Sequence, residues 1–263
     1  MEPISTNTAI SSRKNKNVVL MRMLLRERSE RRKSGLFAAE GDHLCGEIAD
    51  VAESGDTALF LYTEKASEKY TSTVERLRGK SRESFCITDE LAEYISDTKS
   101  SQGLFAACAI RARAIPESAE KVVILDGVQD PGNVGTIIRT AEALGFDGVI
   151  AVGACADVYS PKVLRASMGS ALRMPFEEQS CDTLRNRLDG FTLYAAMLDE
   201  SAAKLETVNF PEKTAVVIGS EGSGVSSEVA GICDKKLYIP ISGAESLNAA
   251  IAAAIIMWEI AKS

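Results

Sequence analysis

Three stretches of the chain place polar side chains in loops that follow apolar runs, where chemistry is usually done. In LDGVQDPGNVGTIIRTAEALGF (125–146) an apolar run meets Asp126, a Pro131-Gly132 turn and then Asn133, which reads as the N-cap of a helix carrying Arg139. Six residues is nearly two helical turns, so the long guanidinium can return towards the mouth where Asn133 sits. Read alone, the segment is no more than a capped helix with a solvated arginine. In VVIGSEGSGVSSEV (216–229) glycines follow an apolar run, yet no lysine follows them and their order is not that of a dinucleotide fingerprint. Glu221 would repel phosphate there but suits a neighbouring cation, or else caps the helix that begins near Ser226. In LYIPISGAESLNAAIAAAIIMWEI (237–260) a run ends at Pro240, Ser246 is placed to cap a helix, and Asn248 falls in its first turn. The alanines that follow permit close backbone packing, within a core or against a second subunit.

The elements that must position these residues alternate along the chain. Continuous apolar runs at 122–125, 148–152, 191–196, 215–219 and 237–241 predict strands, separated by helices at about 134–144, 161–168, 183–188, 226–232 and 247–261. Strands separated by helices imply a largely parallel sheet, whose ligands collect at the carboxyl ends of strands. Upstream, residues 1–17 are polar and read as a mobile tail. Residues 18–110 read as a smaller α/β domain, 111–120 as a linker around Pro116, and 121–263 as a second domain.

Composition narrows the partners. The 263 residues carry a formal charge of −7, so nucleic acid would have to be held by a local patch. Residues 11–33 supply one, with nine basic side chains against Glu27 and Glu30, six of the nine on an amphipathic helix predicted over 18–33. The six cysteines are too far apart for zinc-ligand spacing and read as reduced, mostly buried thiols, so no metal is expected. His43 is the single histidine, which removes most imidazole chemistry. No apolar run is long enough to span a bilayer, and a cytoplasmic location without membrane attachment is the expectation.

Taken together and in order, Asn133 to Arg139, the turn Gly219 to Gly224, and Ile239, Pro240 and Ser246 to Asn248 resemble the SpoU (TrmH) family of RNA ribose 2'-O-methyltransferases in the SPOUT superfamily. DVYSPKVLRASMGSALRMPF (157–176), between the first two, adds to the match. Ser12, Asn15, the basic helix, and Phe37 with Glu40-Gly41 are similar to that family's substrate-binding domain. The resemblance implies a C-terminal trefoil-knotted α/β domain with a parallel sheet and a smaller N-terminal α/β RNA-binding domain. It implies a homodimer that binds S-adenosylmethionine at Gly219, Ile239 and Leu247. Asn133, Arg139, Glu221, Ser246 and Asn248 would then be the catalytic set, with no metal. Arg13, Lys14, Arg31, Arg32, Lys162 and Arg165 would contact RNA. A separate N-terminal domain favours ribosomal (23S) over transfer RNA. The alternatives are a transfer-RNA methyltransferase of the same family and a non-catalytic RNA-binding or ribosome-associated protein; a Rossmann-type nucleotide enzyme is disfavoured by the glycine order.

Overall fold

The protein is described by a computed structural model covering residues 9–111, 113–243 and 245–263. The chain divides into two compact units, one formed by residues up to Arg111 together with Tyr159–Arg165, the other by Ala112–Val158 and Ala166–Ser263.

In the first unit, helices α1 (Lys16–Arg26) and α2 (Arg28–Ser34) lead into β1 (Leu36–Glu40), α3 (Asp42–Val51) and β2 (Thr57–Thr63). Then come α4 (Glu64–Lys69), α5 (Thr71–Lys80), β3 (Ser81–Ile87), α6 (Asp89–Ile95) and β4 (Leu104–Ala109). The sheet order is β1-β4-β2-β3, with β2 and β3 parallel and both contacts of β4 antiparallel. Val18, Met21, Leu24 and Leu25 of α1 are buried against Leu59, Leu61, Phe105 and Ala107. Each such side chain stabilises the fold by roughly 1.5–3 kcal/mol. The single helix expected over 18–33 is two, broken at the extended Glu27. The expected tail is shorter too: Ile10 bridges to Ile87, Asn15 caps α1, and residues 1–8 lie outside the described residues.

The second unit follows the expected alternation. Its strands are β5 (Lys121–Asp126), β6 (Gly148–Val152), β7 (Phe176–Gln179), β8 (Thr192–Ala196), β9 (Ala203–Lys204), β10 (Thr214–Gly219) and β11 (Lys235–Tyr238). Its helices are α7 (Pro131–Ala143), α8 (Pro161–Ala166, mostly within the first unit), α9 (Cys181–Arg187), α10 (Ser227–Ile232) and α11 (Ala249–Ala261). All seven strands are parallel, in the order β7-β6-β5-β10-β8-β11-β9. The chain steps outward from β5 through β6 to β7, then returns to the other side of β5, so the order reverses between β5 and β10. Their last residues, Asp126 and Gly219, are register partners. Such a reversal opens a crevice beyond the carboxyl ends of the strands. It places the loop before α7 beside the glycine turn.

The six cysteines are free, with Cys45, Cys108 and Cys155 buried and the other three half-buried. Among the described residues no group of His, Cys, Asp or Glu is arranged to hold a metal ion, and no helix is long and apolar enough to cross a membrane.

Candidate active site

The helix carrying Asn133 and Arg139 starts earlier than expected. Asp130 is the N-cap of α7, its carboxylate accepting the Asn133 N–H at 2.8 Å, and Pro131 takes the first helical position. Proline is favoured there because its fixed φ suits a helix and the missing N–H has no helical partner. Asn133 is therefore inside the first turn, 8% exposed, with its carboxamide free to reach across the crevice. The third segment differs in the same way. Asn248, not Ser246, caps α11, its Oδ1 accepting the N–H of Ala250 at 2.9 Å and of Ile251 at 3.2 Å.

These two amides and Glu221 form one directed chain. Backbone N–H groups can only donate, so Asn248 must accept through Oδ1 and donate through Nδ2, which it does to Asn133 Oδ1 at 2.9 Å. That fixes Asn133 in turn, and its Nδ2 donates to Glu221 Oε1. Neither amide can flip without losing bonds. An unsatisfied buried carboxamide would cost about 1–3 kcal/mol. Every polar atom of the Asn133 side chain is engaged, and the chain ends on a carboxylate in an exposed turn.

The turn itself is held by main-chain bonds. Ser220 and Gly224 exchange N–H to carbonyl hydrogen bonds at 3.1 and 3.0 Å. A Cβ on Gly219 would collide with the backbone of Gly224 and Val225, so only glycine permits this approach. Beyond the turn, the Ser226 N–H donates to Asp126 Oδ2 at 2.6 Å, which ties the loop to the end of β5, while the Ser226 hydroxyl caps α10. Glu221 is therefore released from the capping role open to it in the sequence.

Gly219, Ile239 and Leu247 all line one cleft of about 550 Å³, with Glu221 and Ser246 also on its wall. Main chain of the glycine turn forms one side. Apolar side chains form much of the rest, including Met197, Leu198 and Ile218, of which Leu198 is 69% exposed at the loop after β8. Met197 and Leu198 carry no motif that would single them out in the sequence. Asp130 did carry a signal, the Asp-Pro pair that marks a cap followed by a first helical proline. The thiols of this unit are not poised to react: burial pushes Cys155 upward and Cys233 up to about 12, so both hold their protons.

Arg139 is not brought to this cluster. Six residues carry it about 240° round the helix and about 9 Å along it from Asn133. It is exposed, on a face shared with Gly132, Thr136 and Ala143. No hydrogen bond joins it to Asn133, Glu221 or Asn248. α7 packs against α11, whose own exposed face carries Ile251, Ile255 and Trp258, at 52, 37 and 55% exposure.

The basic stretch of the first unit is largely committed to the fold. Arg31 is 4% exposed and donates to the Leu24 carbonyl at 2.6 Å, which removes it from any surface contact. Arg22 and Arg26 reach the carbonyls of Tyr94 and Ser96 at the end of α6. Arg13 pairs with Glu90 at 3.0 Å, and its guanidinium and that of Arg22 lie over the Tyr94 ring. Arg165 pairs with Asp97 at 3.0 Å. Lys14, Arg32 and Lys162 remain exposed.

A parallel sheet whose strand order reverses at a glycine-floored crevice, with an amide-carboxylate chain at its lip, is the architecture of an α/β protein that takes its ligand beyond the carboxyl ends of the strands. Residues 120–258 match the SpoU rRNA Methylase family and residues 15–106 the MRM3-like substrate binding domain, and the chain belongs to the SpoU family. It is 31% identical over 254 residues, covering 95% of this chain and 98% of the relative, to the 23S rRNA (guanosine(2553)-2'-O)-methyltransferase RlmP of Bacillus subtilis. Among solved structures it resembles an AdoMet-bound rRNA methyltransferase from Sinorhizobium meliloti, with TM-score 0.84, 27% identity and 97% of each chain covered. It also resembles the SpoU methyltransferase AviRb from Streptomyces viridochromogenes in complex with AdoMet, with TM-score 0.81, 27% identity and coverage of 95% of this chain and 98% of that one.

Proposed function

We propose that the protein transfers a methyl group from S-adenosylmethionine (AdoMet) to a ribose 2'-hydroxyl of 23S ribosomal RNA. The relatives named above support the reaction and the substrate class. The observation that carries the reading is the directed chain Asn248 to Asn133 to Glu221 at the lip of the cleft.

The cleft fits the cofactor. Its walls are largely main chain and apolar side chains, which suit an adenosine held by backbone groups, and at its floor a Cβ on Gly219 would strike the backbone of Gly224 and Val225. Gly219, Ile239 and Leu247 would hold the nucleoside, with Leu198 against it at the mouth. When bound, the sulfonium supplies a methyl group that is already activated. The residues have only to align the 2'-oxygen in line with it and stabilise the charge that develops there. Asn133 and Asn248 hold Glu221 fixed. Glu221 in turn orients a cation or the ribose, and Ser246 fixes the loop over the cofactor. Arg139 acts by hydrogen-bonding the 2'-oxygen and the flanking phosphate, the proton leaving to phosphate or water, because a guanidinium stays protonated in proteins.

We read the protein as a cytoplasmic homodimer whose methyltransferase domain is trefoil-knotted. The exposed apolar face of α11 beside the small-residue face of α7 supports the dimer, and a partner seated there would bring Arg139 out of solvent and to an interface. Lys14 and Lys162 are the exposed basic residues of the expected set best placed to meet RNA backbone.

The test incubates the protein with methyl-labelled AdoMet and, separately, unmodified ribosomal and transfer RNA, with Arg139→Ala as control, and maps the label by nuclease digestion. Label in an alkali-resistant dinucleotide of 23S RNA, absent with the control, is the expected result. Label in transfer RNA alone would overturn the substrate, and AdoMet binding with no methylation of any RNA or ribosomal particle would overturn the reaction. Arg139→Lys should keep little activity, and near-full activity would refute the need for the planar guanidinium fork.

A further inference from the structure

We propose that a second, polar cleft, in the N-terminal unit, receives one unpaired nucleotide of the RNA substrate. This rests on the RNA reading above and adds to it a site for the part of the substrate that does not react. The cleft has a volume of about 530 Å³ and lies at the carboxyl end of β2, where Thr63, Lys69, Tyr70, Ser100, Ser101 and Gln102 form its wall.

The wall is preorganised by a buried carboxylate that the catalytic argument does not use. Glu40, at the end of β1, is 7% exposed and accepts from the Ser96 hydroxyl, from the Asp97 N–H at 2.9 Å and from the Thr98 hydroxyl at 3.0 Å. Those bonds anchor the start of loop 96–103. At its other end Gly103 adopts φ +71° with Thr63 so close that a Cβ would clash. Between them the Asp42 N–H donates to Gln102 Oε1 at 2.7 Å. An N–H can bond only the oxygen, so the Gln102 amide is locked with its Nε2 donors unengaged among the described residues.

The hydrogen-bonding groups around the cleft select the ligand. Asp89 is paired with Lys65, and Glu93 accepts the Ser101 N–H at 3.3 Å while keeping its negative charge on the wall, opposite in sign to that of Lys69. Lys69 keeps its ammonium 5.1 Å from the Tyr70 ring centroid. Beside that carboxylate the wall offers donors: an amide, an ammonium, a phenol and hydroxyls. An unpaired nucleotide is their complement, with acceptors on its base edge, a phosphate for Lys69 and a ring face for Tyr70. A peptide partner would want a large apolar anchor site, and beyond the tyrosine the wall supplies only Ala66 and Ala92.

The experiment measures methyl transfer by the full-length protein to 23S RNA transcript, with Gln102→Glu and Lys69→Ala variants. Glutamate at 102 keeps the acceptor for the Asp42 N–H but replaces the donors, so a merely structural role would tolerate it. The expected result is an RNA KM raised about tenfold by Gln102→Glu and about fivefold by Lys69→Ala, the range for one lost base-edge or phosphate contact. The kcat at saturating RNA and the AdoMet affinity should stay within about twofold. Photocrosslinking of 4-thiouridine-substituted RNA should label peptides containing residues 65–70 or 100–102. An unchanged RNA KM for Gln102→Glu overturns the site while leaving the reaction standing, as do crosslinks from these peptides to a ribosomal protein and not to RNA. A wild-type protein that labels no ribosomal RNA overturns the reaction itself.

Discussion

The two clefts are built by opposite means. In the C-terminal unit, the cleft is walled largely by backbone and apolar side chains around a turn closed by main-chain bonds, with Glu221 and Ser246 among its polar side chains. In the N-terminal unit, the wall is mostly polar side chains, and a buried glutamate anchors the start of the loop that carries Ser100, Ser101 and Gln102. The difference would match the tasks proposed for them. A cofactor that is the same in every turnover is well held by backbone, which no side-chain substitution alters, whereas an RNA sequence has to be read by side chains that can vary. Charge divides the same way. The N-terminal unit has many arginines, yet most of them support their own fold.

The largest effect should come from the lip. Asn133→Ala removes the central link of the amide chain and should lower kcat by about 10²- to 10³-fold, the usual loss for one catalytic donor, with cofactor affinity within severalfold. Single-turnover kinetics and calorimetry separate the two, and collapse of cofactor binding would break the division between lip and floor. Gly219→Ala should do the reverse. Its Cβ forces the turn apart at a cost of about 1–3 kcal/mol, which appears as a roughly 10- to 100-fold loss of AdoMet affinity by titration calorimetry.

Smaller effects sharpen the contrast between arginines that support the fold and cations left for RNA. Arg31→Ala should lower stability by about 1–3 kcal/mol in a denaturant titration, because it strips a buried carbonyl of its donor. Lys14→Ala should leave stability unchanged and reduce the salt dependence of RNA binding by about one unit of slope. Equal loss of stability in both would remove the distinction. The smallest effect concerns Glu142 on α7, whose carboxyl is held below its ordinary 4.5 by the Arg173 guanidinium, with a bond of 2.7 Å. A depressed folded-state value means the stabilisation is full above pH 4.5 and is lost as pH falls below it. Glu142→Gln should flatten that acid limb by less than about 1 kcal/mol, seen as a smaller fall in melting temperature between pH 5 and pH 3.

The parallel sheet was legible because its strands are buried on both faces and read as unbroken apolar runs, as in 122–125 and 148–152. The edge strand β7 (FEEQ) and the two-residue β9 were not, since a half-exposed edge has no such run. Asn133, Glu221 and Asn248 were legible as a set through the resemblance. Their helix positions were not, because Asn133 and Ser246 are good capping residues in isolation and only the fold shows that Asp130 and Asn248 win. The fate of the basic stretch was hidden for a similar reason. Counting charges over 11–33 finds the patch, but which arginines turn inward depends on carbonyls 7 to 72 residues away, as Arg31 and Arg22 demonstrate.

Asn248 holds the first turn of α11 and the amide of Asn133 with the same carboxamide. Helix ends open locally at far lower free energy than the whole domain unfolds. Fraying of that one turn therefore loosens Asn133 and, through it, Glu221, while the sheet stays intact. On warming, activity should fade reversibly at temperatures below the melting transition, so that the optimum for turnover is set by the end of a helix and not by the stability of the core.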